Sequence, residues 1–220
     1  MKWQNMKNQT KVRLFFHLVS IAIFASFSSL VFAYNNYISV RLPKGVTVEL
    51  PKNWVVLSNN QRITLDSWVQ AKAEVRGISN NSSELAFAAN YYDERNITAG
   101  IFNIRYYPNL DINQSDAKAA GATDIKELDT TIRQNIIPGI EAAGGRVLAW
   151  LGTTKLSING STTFITEYRR SSPHGDIFRA RLVRFFNGNK SFTITISYRE
   201  DQEFFLRPIC DKIISSIKLL

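Results

Sequence analysis

The sequence has few of the residue types that bind metals or act as nucleophiles. Its 220 residues include one cysteine, Cys210, and two histidines, His17 and His174. His17 falls in an apolar amino-terminal run, which leaves one histidine and one cysteine, far apart, and no disulfide within the chain. Acid-rich loops of the calcium-binding type and glycine-rich phosphate loops between a strand and a helix are also missing. The sequence therefore predicts no metal and no cofactor.

The histidine outside that run, His174, lies between Ser172 and Asp176 in a loop that contains a proline and a glycine. This grouping allows the hypothesis of a secreted or periplasmic hydrolase that uses His174. A catalytic triad, however, needs three side chains that converge from a rigid scaffold, together with an oxyanion hole. Closeness within one short loop is more typical of an exposed turn. We therefore predict no catalytic residue and keep the hydrolase as the alternative.

The first 33 residues predict a secretory signal peptide. A basic start without acidic residues precedes an apolar run at residues 14–27, and a valine and an alanine occupy positions 31 and 33. Such an ending suits signal peptidase, so we expect cleavage between Ala33 and Tyr34. The alternative is an uncleaved anchor, because the run is almost long enough to span a bilayer. Cleavage predicts a periplasmic or secreted protein with no stable membrane anchor.

Residues 34–220 are predicted to form a single domain, because their number suffices for a sizeable core and no linker divides them. The leader holds four of the 27 lysines and arginines and none of the 18 acids, so its removal lowers the net charge from +9 to +5. An exported chain that is only mildly basic is a poor candidate for nucleic-acid binding.

Hydrophobic periodicity predicts nine strands in this region, at residues 38–42, 46–50, 54–57, 84–92, 97–107, 147–157, 162–170, 177–186 and 191–198. The last six form three hairpins, of which one has Asn159-Gly160 at its turn. In the ninth strand four apolar residues alternate with threonine and serine. One face of that strand is therefore apolar and the other carries hydroxyl groups.

Three helices are predicted between and after these hairpins. The first covers residues 62–76 with Asn59 or Asn60 as its cap, and the second begins at Ser115 and ends at Gly144-Gly145. We expect Pro138 to bend or break the second helix. The third begins near residue 204 and carries Cys210 as a small core residue. The predicted fold class is α+β, an antiparallel sheet built from hairpins and flanked by helices.

This order of elements resembles the PsbP-like superfamily, which includes DcrB-like periplasmic proteins and a Ran-binding nuclear import factor. The similar segments are Leu-Pro-Lys-Asn-Trp at residues 50–54, Ile-Asn-Gly at 158–160, Phe-Thr-Ile-Thr at 192–195 and Ile-Ser-Ser-Ile-Lys at 214–218. The resemblance implies an α/β/α sandwich and a binding or assembly role. It implies no shared active site, so no functional residue is transferred from the family.

The candidate binding residues are arginines on two neighbouring strands: Arg169, Arg170, Arg179, Arg181 and Arg184. Alternation places Arg179 and Arg181 on one face and Arg184 on the other. If the strands pair, these side chains form a patch that can meet an anionic surface. The alternative is an ordinary cross-strand ion pair with Glu167.

Taken together, these features predict a non-enzymatic binding or assembly module of the cell envelope. Its expected partner is an envelope protein or an anionic surface, and nucleic acid is not expected. Neither the identity of that partner nor an oligomeric state follows from the residues.

Overall fold

The computed structural model describes residues 36–42, 45–74, 83–108, 112–188 and 190–220, without the side chains of residues 68–74. Ser39–Leu220 forms one compact unit. The predicted signal peptide and its cleavage point between Ala33 and Tyr34 lie outside the described residues. Both remain predictions.

Two antiparallel sheets account for the strands that the structure describes. One has three strands in the order β1-β2-β10, and the other has seven in the order β3-β4-β5-β9-β8-β7-β6. The strands are β1 (Tyr37–Leu42), β2 (Val46–Pro51), β3 (Val55–Val56), β4 (Glu84–Tyr92), β5 (Thr98–Tyr107), β6 (Val147–Ile158), β7 (Ser161–Ser171), β8 (Ile177–Asn187), β9 (Lys190–Arg199) and β10 (Lys218–Leu219).

All nine predicted strands are present, and the fold class is confirmed as α+β with antiparallel sheets flanked by helices. The prediction of one sheet was incomplete, because β1 and β2 join a separate sheet with β10. Only two residues long, β10 is too short to show an alternating pattern in the sequence. The Asn159-Gly160 turn is confirmed, since both residues have positive φ angles, of 49° and 81°.

The helices are α1 (Asn59–Glu74), α2 (Gln114–Ala119), α3 (Ala122–Ala142) and α4 (Glu203–Ser216), with a 3₁₀ turn at Glu200–Gln202 before α4. The cap of α1 is Ser58 rather than an asparagine: its Oγ accepts from the Gln61 N–H at 3.3 Å. The Gln61 side chain in turn accepts from the Ser58 N–H at 2.8 Å. This reciprocal pair is a capping box.

The predicted second helix is two helices. Gly121 has extended backbone angles, and its N–H donates to Asp124 at 2.7 Å, which starts α3 after a break. We expected Pro138 to bend or break the helix, and a break does not occur, because α3 continues to Ala142. A proline removes one backbone hydrogen bond, and here the apolar stripe on both sides of it, with Ile132 buried, keeps the helix in place.

The seven-stranded sheet is covered on both faces. Helix α4 lies on the face where Phe192, Ile194, Ile196 and Tyr198 of β9 are buried, as the alternation predicted. The buried Cys210 belongs to this core. On the opposite face Ala117 of α2 packs with Phe164 and Phe186. Helix α3 is fastened to that face by Asp129, which accepts from Trp150 Nε1 at 3.0 Å and from Thr153 Oγ1 at 2.7 Å.

Candidate functional site

The five predicted arginines are divided between the two faces of the large sheet. Arg169 of β7 is directly opposite Arg179 of β8, and Arg181 is opposite Glu167. These side chains point toward α4, where they meet acids. Arg184 is opposite Phe164, whose ring belongs to the cluster beneath α2. The prediction that Arg184 lies on the other face from Arg179 and Arg181 is confirmed.

Arg169 and Arg179 share acidic partners at the start of α4. Arg169 binds Glu200 through two hydrogen bonds, Nε to Oε1 at 2.5 Å and Nη2 to Oε2 at 2.7 Å. Arg179 Nε lies 3.2 Å from Glu200 Oε1 and 3.4 Å from Glu203 Oε2. The hydrogen bonds from Arg169, helped by those from Arg179, hold the pKa of Glu200 below its ordinary value.

Arg181 is also paired within the chain. Its Nε lies 3.0 Å from Glu167 Oε1, which confirms the expected cross-strand ion pair, and its Nη1 contacts Asp211 of α4. These acids compensate the charges of Arg169, Arg179 and Arg181 and connect the sheet to α4. The contacts reduce the positive potential that this face offers to a ligand.

On the opposite face, Arg170 and Arg184 have no acidic partner among the described residues. The Arg170 guanidinium lies 5.0 Å from the centroid of the Phe178 ring, and burial lowers the pKa of Arg170. Burial likewise lowers the pKa of Arg184, and its Nε has no hydrogen-bond partner. Of the five predicted residues, Arg184 is therefore the half-buried arginine whose Nε is buried and unpaired.

Arg184 has Phe164 on its β7 side and polar groups on its β9 side. With those polar groups it forms what we call the Arg184 cluster: Arg184, Ser191, Thr193, Arg105 and Tyr107. Arg184, Thr193 and Arg105 are direct cross-strand neighbours on β8, β9 and β5. In the next row, Ser191 is opposite Tyr107. The hydroxylic face of β9 that the alternation predicted is thus the centre of the cluster.

Within the cluster one arginine is neutralised and the other is not. Arg105 Nη2 lies 2.7 Å from Asp66 Oδ1 of α1, and both side chains are 18% exposed. Arg105 Nη1 donates a further hydrogen bond to Ser83 Oγ at 3.3 Å. Among the residues that the structure describes, no acid pairs with Arg184 as Asp66 pairs with Arg105. The sequence missed Arg105 as a member, because only strand register brings β5 next to this part of β9.

The Ser-His-Asp loop is a local turn. The Ser172 hydroxyl accepts hydrogen bonds from the backbone N–H groups of His174, at 3.2 Å, and Asp176, at 3.1 Å. The His174 side chain is exposed. The serine oxygen therefore shapes the turn, and within the described residues no hydrogen bond joins it to the imidazole.

A buried ion pair at the other end of β9 was not predicted. Arg199, 3% exposed, donates to Asp93 Oδ2 at 2.7 Å and to Asp201 Oδ1 at 2.6 Å. Asp93 also accepts from the backbone N–H groups of Arg95 and Ile97, both at 3.0 Å. These hydrogen bonds, that of Arg199 first, hold the pKa of Asp93 well below its usual range.

In the part of the chain that the structure describes, no three histidine, cysteine, aspartate or glutamate side chains are grouped in a way that would hold a metal ion. None of the helices in the described ranges has both the length and the apolar character needed to cross a membrane.

The arrangement of two antiparallel sheets and flanking helices occurs in solved structures. PsbP (CyanoP) from the cyanobacterium Synechocystis superimposes with a TM-score of 0.52 over 84% of this chain and 93% of its own, at 14% identity. The chain has a PsbP-like fold. At that identity the likeness concerns the fold alone. No family model matches the sequence, and no curated protein is similar to it in sequence.

Two other solved structures overlap this chain less closely. The Ran-binding protein Mog1p from Saccharomyces cerevisiae has a TM-score of 0.42 at 10% identity and covers 84% of this chain and 95% of its own. LpqN of Mycobacterium tuberculosis, described as involved in cell envelope biogenesis, has a TM-score of 0.44 at 11% identity, with coverages of 83% and 90%.

Proposed function

We propose that the protein is an exported, non-enzymatic binding module of the cell envelope that recognises another envelope protein through the edge of its large sheet. The observation that carries this proposal is the exposure of three leucines on one edge strand. Leu148, Leu151 and Leu156 of β6 are 47%, 55% and 50% exposed. Within the described residues, β6 is the last strand on its side of the sheet.

An edge strand offers unpaired backbone donors and acceptors, which an extended segment of another chain can use. The register of β6 with β7 is irregular between Val147 and Ala149 and again between Trp150 and Gly152. From Gly152 to Ile158 it is continuous. Bulges oppose strand addition, so the regular second half of β6 is the part that suits a partner strand, with Leu156 as its apolar contact.

The test uses lysine at the edge, because a lysine on an edge strand opposes pairing with another chain. We expect Leu156→Lys and Leu151→Lys to weaken binding of the physiological partner by about tenfold or more. The partner is first captured by crosslinking the protein in its own envelope, then identified by mass and purified. Affinity is afterwards measured with the purified pair.

The matched control is Ile63→Lys, which places the same charge at an exposed aliphatic residue of α1, 56% exposed. This variant should bind like the unmodified protein. If the Leu156→Lys variant also bound the partner with unchanged affinity, the edge of β6 would be excluded as the binding surface.

Export is tested separately. We expect fractionation of the source cells to recover the protein outside the cytoplasm, with a mass that corresponds to a chain starting at Tyr34. A full-length mass in the membrane fraction would instead support the uncleaved anchor. Neither result depends on the β6 experiment.

The hydrolase alternative has no support from the turn geometry, because the Ser172 hydroxyl accepts from two backbone N–H groups. If the protein showed a hydrolytic activity that His174→Ala abolished without loss of the fold, the non-enzymatic proposal would be wrong.

A further inference from the structure

The Arg184 cluster contains three polar groups that are buried without a hydrogen-bond partner. Ser191 is 1% exposed and Thr193 is 4% exposed, and neither hydroxyl oxygen has a partner. The Nε of Arg184 also lacks one. A buried polar group left unpaired destabilises a fold, so such groups are few in native proteins, and three side by side require an explanation.

The charge of the cluster points to the kind of ligand. Asp66 compensates Arg105, while no described acid compensates Arg184. The cluster therefore keeps one positive charge on a half-buried side chain whose Nε is shielded from water, and this partial desolvation lowers the pKa of Arg184. An anion bound at Arg184 would remove this cost.

We propose that Arg184, Thr193 and Ser191 form a binding site for a small oxyanion, that is, a phosphate or carboxylate group. A guanidinium presents several N–H donors in one plane, which matches two oxygens of such a group. The hydroxyls of Thr193 and Ser191 each have a proton to donate to a further oxygen.

The spacing of the three residues fits one oxyanion. Arg184 and Thr193 are directly opposite each other on β8 and β9, so their Cβ atoms are about 5 Å apart. Ser191 lies two residues along β9 on the same face, about 7 Å from Thr193. The long arginine side chain spans this distance, so all three groups can converge on one ligand. Tyr107 is the direct cross-strand neighbour of Ser191 on β5.

This site is separate from the edge of β6 and does not depend on the proposed protein-binding function. It is also separate from Arg169, Arg179 and Arg181, whose acidic partners lie on the other face of the sheet. Loss of oxyanion binding would leave the β6 proposal untouched, and the reverse also holds.

The experiment titrates the purified protein with inorganic phosphate and, in a parallel series, with acetate. Chloride keeps the ionic strength constant, and binding is read from the amide and arginine Nε–H signals in NMR spectra. We expect saturable shifts at Arg184, Thr193 and Ser191. Arg184→Gln should weaken phosphate binding by at least about tenfold, because charge-assisted hydrogen bonds are lost.

Arg133→Gln is the matched control. Arg133 is exposed on α3, so the variant changes net charge equally and leaves the cluster intact. It should bind phosphate like the unmodified protein. If Arg133→Gln and Arg184→Gln weakened binding to the same extent, only general charge attraction would be involved, and the proposal would fail.

Thr193→Val keeps the shape of the side chain and removes its hydroxyl, so it covers the case in which Arg184→Gln does not fold. With a ligand site we expect a more stable free protein, since a buried unpaired hydroxyl is gone, and weaker phosphate binding. Greater stability with unchanged phosphate binding would overturn the site, as would the absence of saturable shifts in the unmodified protein.

Discussion

At the scale of single residues, the described part of the chain handles its buried charges in two ways. Arg199 is paired with two acids, Asp93 and Asp201, although its Nη1 has no hydrogen-bond partner. Arg184 has no acidic partner among the described residues, and its Nε is unpaired, although it lies in the same sheet. The first arrangement is an ion pair within the fold, and the second is the one that we propose as a ligand site. Asp93 is the clearest case of the first kind, because one carboxylate joins the β4–β5 turn to the end of β9.

Asp93 should make the stability of the protein depend on pH in acid. Its pKa in the folded protein is held below the unfolded value of about 4. The stabilisation is therefore fully present above about pH 4 and is lost progressively as the pH falls below that value. Asp93→Asn should lower the melting temperature at pH 7 and flatten its decrease in acid. Thermal unfolding followed by circular dichroism between pH 2 and 7 measures both effects.

The control for this prediction is Glu94→Gln in the same turn, where the side chain is exposed. It should leave the melting temperature close to that of the unmodified protein. Equal pH profiles for the unmodified protein and Asp93→Asn would show that the ion pair with Arg199 contributes nothing to stability.

At the scale of elements, the pattern of apolar residues was sufficient to locate nine of the ten described strands, while short-range signals located the turns between them. The ends of helices were less well predicted. Ser58 caps α1, although two asparagines follow it, because only Ser58 has Gln61 three residues later to complete the capping box. The separation of α2 from α3 depends on the extended backbone of Gly121, which the apolar stripe does not reveal.

The candidate site was predictable only in part. Arg184 and the hydroxylic face of β9 follow from alternation along each strand. The pairing of Arg105 with Asp66, which leaves Arg184 as the uncompensated charge, depends on contacts between elements far apart in the sequence. The ion pairs of Arg169 and Arg179 with Glu200 depend likewise on how α4 packs.

The end of α3 provides a prediction at this scale. Gly144 has a φ angle of +85°, and the N–H groups of Gly145 and Gly144 donate to the carbonyls of Ile140 and Glu141 at 3.0 Å, which is a Schellman motif. A Cβ added at Gly145 would collide with the carbonyl oxygen of Ser171. Gly145→Ala should therefore lower the free energy of unfolding by about 2 kcal/mol, measured by urea denaturation.

Gly139 is the matched position, because it lies inside α3 with nothing within 4 Å of an added Cβ. Gly139→Ala should raise the free energy of unfolding by about 0.5–1 kcal/mol, since alanine is the better helix former. The change in the free energy of unfolding should therefore be negative for Gly145→Ala and positive for Gly139→Ala. If both variants were destabilised, the Schellman end of α3 would not explain the effect at Gly145.

At the scale of the whole compact unit, α4 connects the two sheets. It packs on β9 of the large sheet and on β2 of the small one, and the chain continues from it into β10. The Asn159 side chain, at the tip of the β6–β7 hairpin, donates to the carbonyls of Ser215 and Ile217 at 2.8 and 2.7 Å. These contacts join the end of α4 to the large sheet as well. The two sheets should therefore unfold together.

Ile213 of α4 tests this coupling, because its side chain is fully buried in the shared core. Ile213→Ala should lower the free energy of unfolding by about 3–4 kcal/mol, through lost burial and the cavity left behind. Fluorescence of Trp54, beside β3, and Trp150, on β6, reports on opposite edges of the large sheet, and amide exchange in β2 reports on the small one. All three should show one transition, shifted equally by the substitution. Amide exchange could instead show that β2 opens at a lower denaturant concentration than the one at which the tryptophan fluorescence changes. The small sheet would then be an independent unit that α4 holds only weakly.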